Sequence, residues 1–275
     1  MARRSNAPEK SYEGKLLTSR SPFAVNEAFR TLRTNLFYTS KGEKCPVYGI
    51  TSCFANSGKS LLISNMAISF AQLKKRVLLL DCDLRNSVIH KIFGLERGLG
   101  ISELLAGSDN AIDRAIQKTK YENLRVITSG GTPPNPTELL ASSRMEKLIN
   151  ILKNHFDAIF IDLPPIGLVT DAVVINDLVT GFVVAVRSGF DDRNDLRETI
   201  AVMEQTNVKI VGFILNDINL KVVGKYGKYS RYGRYSRYGR YSRYGKYSAG
   251  YGGYYGGYYG GYGGYGNNNY YNNNY

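Results

Sequence analysis

The stretch VYGITSCFANSGKS, residues 47–60, decides the fold that this chain can adopt. Residues 48–51 are apolar and β-prone, the loop after them ends in Gly-Lys-Ser at 58–60, and residues 61–73 have the pattern of a helix. A strand, a loop of small residues, Gly-Lys-Ser and a helix in this order form a P-loop. Its inward-pointing N–H groups and the positive end of the helix make a binding site for phosphate.

The side chains of this loop predict how a nucleotide would bind. Lys59 is expected to reach the β- and γ-phosphates, and the Ser60 hydroxyl to bind Mg²⁺. The loop departs from its consensus, since Cys53 stands where glycine is usual and 54–57 contain no glycine. Asn56 is the one residue of that run that readily tolerates a positive φ. The residues predicted to bind the nucleotide are Ala55, Asn56, Ser57, Gly58, Lys59, Ser60 and Leu61.

Two later apolar runs end in carboxylates. The first, RVLLLDCDLR at 76–85, lacks alternation, which indicates a strand buried on both faces with Asp81 and Asp83 at its carboxyl edge. The second, DAIFID at 157–162, ends in Asp162 before Leu-Pro-Pro and resembles a Walker B strand. Ligands bind at this edge of open α/β sheets, and Mg²⁺ prefers hard oxygen ligands. Magnesium is therefore expected at Ser60, Asp83 and Asp162, although Asp81 and Asp83 could instead cap the next helix.

Strands alternate with helices over residues 45–220, which predicts a mostly parallel sheet flanked by helices. One of these helices is expected to begin with Thr137 as its cap and to run to Asn154. Asn216 ends the last strand, where it would either meet a nucleotide base or simply turn the chain. The predicted organisation is a flexible arm over residues 1–22, an α/β P-loop NTPase domain over 23–220 and a tail over 221–275.

The tail differs in composition from the rest of the chain. The net charge of the whole chain is +13, and residues 221–275 hold nine Lys or Arg and no Asp or Glu. Basic–Tyr–small triplets fill residues 225–248, Gly/Tyr blocks follow, and no branched aliphatic residue occurs after Val223. Such a segment cannot bury a core, so we predict disorder. Its accessible tyrosines could accept phosphate, but the same composition also suits nucleic acid or an anionic membrane surface.

One charged face precedes the P-loop strand. Glu27, Arg30 and Arg33 recur every three residues in a predicted helix from Glu27 to Tyr38, so they share roughly one face. Spacing alone favours a solvated face, because exposed charges are usually just solvated.

Taken together, these features resemble the bacterial tyrosine kinases (BY-kinases), in particular the cytoplasmic kinase subunits of capsular or exopolysaccharide systems, which are CapB/CpsD-like. The resemblance covers about residues 20–220 and the style of the tail. The motifs that carry it are EAFRTLRTNL at 27–36, TSCFANSGKS at 51–60, VLLLDCDLR at 77–85, GLGISELLAG at 98–107, GGTPPNPTELLASSRM at 130–145 and FDAIFIDLPPIGLVTDA at 156–172. The family's loop usually reads PGEGKS, so Asn56 and Ser57 are departures from it.

The resemblance implies a deviant Walker A fold shared with ParA/MinD-like proteins and assigns a role to each motif. Lys59 and Ser60 match Walker A, Asp81 and Asp83 match Walker A′, and Asp162 matches Walker B. Glu27, Arg30 and Arg33 match the helix through which the family assembles into rings. The resemblance therefore implies a role in assembly for these residues, instead of the solvated face that spacing alone favours. The tail of one subunit would be phosphorylated by its neighbour, and the expected acceptors are Tyr251, Tyr254, Tyr255, Tyr258, Tyr259, Tyr262, Tyr265, Tyr270, Tyr271 and Tyr275.

The implied reaction is transfer of the γ-phosphoryl group of ATP, with Mg²⁺, to a tyrosine hydroxyl. The expected catalytic residues are Lys59, Asp81, Asp83 and Asp162, with Asp81 orienting Lys59 or the incoming tyrosine, or acting as a base. The implied partners are a membrane activator of the polysaccharide co-polymerase type, a cognate tyrosine phosphatase, and sugar-nucleotide dehydrogenases or glycosyltransferases as external substrates. The implied location is the cytoplasm, at the inner face of the cell membrane through that activator.

Two other functions remain open on the residues alone. The first is a ParA/MinD-like switch ATPase, against which Phe54 speaks, because those proteins usually carry a signature lysine at that position. The second is a non-enzymatic scaffold whose P-loop has decayed and whose tail binds nucleic acid or membrane.

Overall fold

The computed structural model describes Tyr12, residues 14–107 and residues 111–218. The predicted tail, all ten predicted phosphoacceptor tyrosines and most of the predicted N-terminal arm lie outside the described residues. The helices are α1 (Phe23–Thr39), α2 (Lys59–Ala71), α3 (Ile89–Phe93), α4 (Ile101–Ala106), α5 (Ile112–Ala115), α6 (Pro136–Leu140), α7 (Ser143–Lys153), a 3₁₀ helix (Thr170–Leu178) and α8 (Arg193–Gln205). The strands are β1 (Val47–Ser52), β2 (Val77–Asp81), β3 (Gln117–Lys118), β4 (Leu124–Ile127), β5 (Ala158–Asp162), β6 (Gly181–Arg187) and β7 (Ile210–Asn216).

The seven strands form one sheet in the order β3-β4-β2-β5-β1-β6-β7. All neighbours pair in parallel except β3, which runs antiparallel to β4 at one edge. The strand β3 was not predicted, because two residues are too few to show a periodicity. The predicted α/β fold with a mostly parallel sheet is confirmed. In this order β1, with the P-loop, lies beside β5, and β5 lies beside β2, so the three predicted site strands are neighbours.

Apolar residues from both faces of the central strands fill two cores. Leu78 and Ile161 belong to the core that α4 and α7 cover, whereas Leu79 and Phe160 belong to the core that α2 covers. Every residue of β1, β2 and β5 is buried. The absence of polar–apolar alternation in these runs is the direct result, because a strand covered on both faces has no solvent side.

The helix predicted from Thr137 to Asn154 is wrong in its extent. The structure has two helices, α6 and α7, separated at Ala141 and Ser142, where Ser142 takes an extended conformation with ψ 152°. The helix α6 begins after Asn135 with Pro136 in its first turn. The Thr137 hydroxyl therefore does not cap a helix and instead donates to Asp171 at 2.6 Å.

The described part of the predicted flexible arm is partly packed. Leu16 and Leu17 are buried among the residues of α2. Asn65 of α2 accepts a hydrogen bond from the Leu17 N–H at 2.7 Å and donates to the Lys15 carbonyl at 3.1 Å. The sequence did not indicate this contact, because two leucines are too few to show a periodicity and most of their neighbours are polar or basic. The prediction of a free arm is therefore corrected at Leu16 and Leu17, whereas residues 18–20 are exposed.

Candidate active site

The P-loop connects the end of β1 to the start of α2. Asn56 and Gly58 both have left-handed backbones, with φ 66° and φ 81°. The expectation that Asn56 tolerates a positive φ is confirmed, since it takes the conformation that glycine would otherwise supply. The loop thus keeps its turn without an early glycine.

Side chains from the ends of β6 and β7 brace this loop. The Asn216 amide donates to the Ser57 carbonyl at 3.0 Å, and Arg187 donates to the Asn56 carbonyl at 3.1 Å. The Ser57 hydroxyl lies 3.0 Å from the Phe54 carbonyl and 3.3 Å from a carboxylate oxygen of Asp191. The amide nitrogen of Asn216 is thus already bonded to the loop itself. Contact of Asn216 with a nucleotide base stays a prediction.

Arg187 and Asp191 are further parts of this site that the sequence did not predict. Both lie at or just after the carboxyl end of β6, which is the edge where ligands bind in such sheets. The signal was therefore available, since the same edge rule had selected Asp81 and Asp162. The run that forms β6 ends in Arg-Ser-Gly rather than in a carboxylate, which conceals this signal.

Lys59 lies beneath the loop between two carboxylates. Its ammonium nitrogen is 2.7 Å from Oδ2 of Asp83 and 3.3 Å from Oδ1 of Asp162. All three side chains are buried. Lys59 is 24 positions from Asp83 and 103 positions from Asp162 in the chain, and the three residues meet because β5 lies between β2 and β1 in the sheet. The structure thus brings together Lys59, Asp83 and Asp162 as the sequence analysis expected.

Asp81 occupies a separate place in the same site. Its Oδ2 accepts hydrogen bonds from the Ser87 hydroxyl at 2.7 Å and from the Ile89 N–H at 3.3 Å. Lys59 forms hydrogen bonds to Asp83 and Asp162 and none to Asp81, so an orienting effect of Asp81 on Lys59 would act only through its charge and stays a prediction. Asp83, two residues beyond the strand end, is the carboxylate that lies nearest to the ammonium group.

Known proteins share both the sequence and the fold of this site. The family model described as an AAA domain matches residues 55–210. Tyrosine-protein kinase CpsD of Streptococcus agalactiae is 39% identical over 208 residues, which cover 74% of this chain and 90% of that protein. The chain belongs to the bacterial tyrosine kinases. The solved kinase domain of the Escherichia coli tyrosine kinase ETK matches 74% of this kinase and 82% of its own chain, with TM-score 0.67 and 33% identity.

The fold alone would not have distinguished this kinase from other P-loop proteins. The cell division ATPase MinD of Pyrococcus furiosus covers 62% of the kinase at TM-score 0.53 and 23% identity, over 71% of its own chain. That likeness shows a common fold, whereas the similarity to CpsD over nearly its whole length shows the family.

Burial and neighbouring charges shift the pKa values of the buried groups. Burial lowers the pKa of Lys59, but the carboxylates of Asp162 and Asp83 outweigh it, so the pKa lies above its ordinary value. Burial, and next the charge of Asp162, raise the pKa of Asp81 to about 8. The pKa of Asp162 is also raised, by burial against the opposing charge of Lys59. One ammonium group therefore does not compensate three buried carboxyl groups.

Replacing Asp81 with asparagine should stabilise the kinase in buffer free of metal and nucleotide. A carboxyl group whose pKa is higher in the folded chain than in the unfolded chain destabilises the fold as the unfolded chain loses its proton. This cost is absent below about pH 4, grows as the pH rises to 8, and is constant above that. We expect D81N to gain about 1–2 kcal/mol, or roughly 2–8 °C in Tm, at pH 8, and almost nothing at pH 4.

Thermal unfolding of both proteins across this pH range checks the prediction. N150D, which places a carboxylate on the exposed surface of α7, is the matched control and should change Tm little at either pH. An equal gain for D81N at pH 4 and pH 8 would contradict the titration of Asp81 as its cause.

The residues present fit a nucleotide with Mg²⁺. Oδ2 of Asp162 and Oδ1 of Asp81 are buried and have no hydrogen-bond partner. Among the described residues, no three His, Cys, Asp or Glu side chains form a group that could hold a metal ion by themselves. Mg²⁺ takes one or two carboxylates and completes its shell with phosphate oxygens and water, and the unpartnered oxygen of Asp162 suits such a ligand.

The three charged residues of α1 do not form one free face. Glu27 pairs with Arg30, which is exposed, whereas Arg33 donates to the Ser69 carbonyl of α2 at 2.6 Å within the same chain. The spacing did place Glu27 and Arg30 together, but it could not show that the chain's own α2 binds Arg33. None of the described helices is long and apolar enough to cross a membrane.

Proposed function

We propose that this kinase transfers the γ-phosphoryl group of ATP to the tyrosines of its own tail, from one copy of the chain to another. The observation that carries the proposal is the buried cluster of Lys59, Asp83 and Asp162 under a braced P-loop. The tail supplies acceptors, since 18 of the 22 tyrosines lie in residues 221–275.

The proposed step exchanges one phosphorus–oxygen bond for another. A bond forms between the tyrosine oxygen and the γ-phosphorus, and the bond from that phosphorus to the β,γ-bridging oxygen breaks. The products are ADP, phosphotyrosine and the proton of the phenol. Such transfers depend mainly on positioning and on stabilisation of charge.

The chain's own groups can supply both the positioning and the stabilisation of charge. The loop amides and Lys59 would bind the phosphates, which requires Lys59 to exchange a carboxylate for a phosphate oxygen. Ser60, Asp83 and Asp162 would hold Mg²⁺, which offsets the negative charge that develops on the transferred group. Asp81 would accept the phenol proton or orient the phenol, because its Oδ1 is unpartnered beside the other carboxylates.

We also propose ring-like self-assembly through α1, which would bring a neighbour's tail to the site. The exposed Arg30 beside Glu27 supports this proposal, because both can face another copy. Arg33 would act indirectly by holding α1 against α2. Phosphates on the tail would turn a cationic segment into an anionic one, which would oppose a compact ring.

The cellular role and the remaining partners follow from the family resemblance. We propose regulation of capsular or exopolysaccharide synthesis and export, activation by a separate membrane protein of the co-polymerase type, and reversal by a cognate tyrosine phosphatase. Sugar-nucleotide dehydrogenases or glycosyltransferases are the proposed external substrates. The kinase would then work at the inner face of the cell membrane.

The test is autophosphorylation of the purified full chain with Mg-ATP, read by mass spectrometry of residues 221–275. The reaction is run with and without the cytoplasmic end of a membrane activator, beside a chain that lacks residues 221–275. We expect phosphotyrosine on the tail, with more in the presence of the activator. Steady ATP hydrolysis without phosphotyrosine would indicate a switch ATPase instead, and neither activity would indicate a scaffold.

A further inference from the structure

The loop that follows β2 returns to the carboxylate with which the strand ends. The strand ends at Asp81, and Asp83 accepts the N–H of Asn86 at 2.9 Å, which closes a tight turn. This turn brings Ser87, six residues after Asp81, to 2.7 Å from the Oδ2 atom of that carboxylate. The resemblance to the kinases assigns no role to Ser87.

A second side chain holds the Ser87 hydroxyl in place. Nδ1 of His90 lies 3.1 Å from Oγ of Ser87. A serine hydroxyl has one hydrogen, so when it donates to Asp81 its oxygen can only accept from the imidazole. In that arrangement Nδ1 of His90 carries the hydrogen, and the hydrogen bonds run from His90 through Ser87 to Asp81.

The chain of hydrogen bonds distinguishes the two oxygens of Asp81. Oδ2 accepts from Ser87 and from the Ile89 N–H, whereas Oδ1 is buried without any partner. Two hydrogen bonds to one oxygen restrict the rotation of a carboxylate, and they leave the other oxygen free to accept a further hydrogen bond. That is the arrangement that a group needs when it must meet a substrate hydroxyl.

Capping of α3 accounts for only one of these contacts: Oδ2 of Asp81 also accepts the N–H of Ile89, the first residue of that helix, but this leaves the hydrogen bonds of Ser87 and His90 unexplained. The residue that caps α3 is Val88, which makes no side-chain hydrogen bond to the helix. The Ser87 hydroxyl contacts Asp81 and His90, not the backbone of the helix.

We propose that Ser87, oriented by His90, is a positioning residue that holds Asp81 so that Oδ1 faces the tyrosine hydroxyl. This inference rests on the proposed function, in which Asp81 meets the acceptor. Loss of the Ser87 hydroxyl should slow the transfer step and leave ATP binding intact, because Lys59 and the loop bind the phosphates without Ser87.

The experiment measures kcat and KM for full-length variants, with full-length Lys59→Ala protein as the tyrosine acceptor. For Ser87→Ala we expect kcat to fall about 10- to 100-fold, with KM for ATP within about twofold of wild type. Ser87→Thr keeps the hydroxyl and should retain most of the activity. His90→Asn places an amide donor where Nδ1 stands, so its kcat should be higher than that of His90→Leu. His155→Asn, at the other histidine, which is exposed, is the matched control.

Each outcome separates this inference from the proposed function. Wild-type kcat in Ser87→Ala, or equal losses in Ser87→Ala and Ser87→Thr, would overturn the positioning role and leave the kinase assignment standing. A wild-type chain that forms no phosphotyrosine would overturn the proposed function and this inference with it. If Ser87→Ala fails to fold, the His90→Asn and His90→Leu pair decides, and equal kcat in these two variants would overturn the role.

Discussion

Replacing Lys59 with alanine should reduce phosphorylation of the tail by at least about 100-fold, since Lys59 is the one cation among the buried carboxylates of the described site. Without it, the γ-phosphate would approach Asp83 and Asp162 with no opposing protein charge. The same change leaves these two carboxylates unpaired in the absence of ligand. Removing one partner of a buried ion pair typically costs about 3–5 kcal/mol, so the nucleotide-free variant should also melt earlier.

Mass spectrometry of residues 221–275 after incubation with Mg-ATP measures the first effect, and thermal unfolding measures the second. Lys147→Ala, at an exposed position of α7, is the matched control and should change neither quantity. Tail phosphotyrosine that persists in purified Lys59→Ala protein would indicate that another kinase acts on a chain whose own site has decayed.

Replacing Gly58 with alanine should weaken nucleotide binding about 10- to 100-fold. The backbone of Gly58 has φ 81°, and a β-carbon there would lie 2.4 Å from the amide nitrogen of Asn216. Backbone strain of this kind costs about 1–3 kcal/mol, and each 1.4 kcal/mol is about tenfold in affinity. The loop could relieve the overlap only by giving up its hydrogen bond from Asn216 to the Ser57 carbonyl.

Isothermal titration with a non-hydrolysable ATP analogue measures this loss. The double variant Gly58→Ala, Asn216→Ala removes the overlap but keeps the unfavourable φ, so we expect only partial recovery of affinity. Gly98→Ala is the matched control, because a β-carbon at Gly98 meets nothing within 4 Å and its φ is not left-handed. Affinity equal to wild type in Gly58→Ala would show that the brace from Asn216 does not constrain the loop.

Local features of the sequence located most of this site. Buried strands appear as continuous apolar runs, and in a parallel sheet their carboxyl ends share one edge, so Lys59, Asp81, Asp83 and Asp162 could be placed together. The left-handed turn at Asn56 could be anticipated for a similar reason, because few residue types accept a positive φ. The break between α6 and α7 could not be predicted, because neither Ala141 nor Ser142 is a helix-breaking residue type such as proline or glycine.

What the sequence by itself determined is the fold class and the chemical groups at the edge of the sheet, because strand periodicity and the P-loop pattern are properties of short segments. Only the tertiary structure decided that Lys59 pairs with Asp83 and Asp162 and that Asn216 braces the loop from 159 residues away. Such choices depend on distances between strands that are remote in the chain. Differences of a few ångströms settle which of several eligible partners forms each hydrogen bond, and no local pattern encodes them.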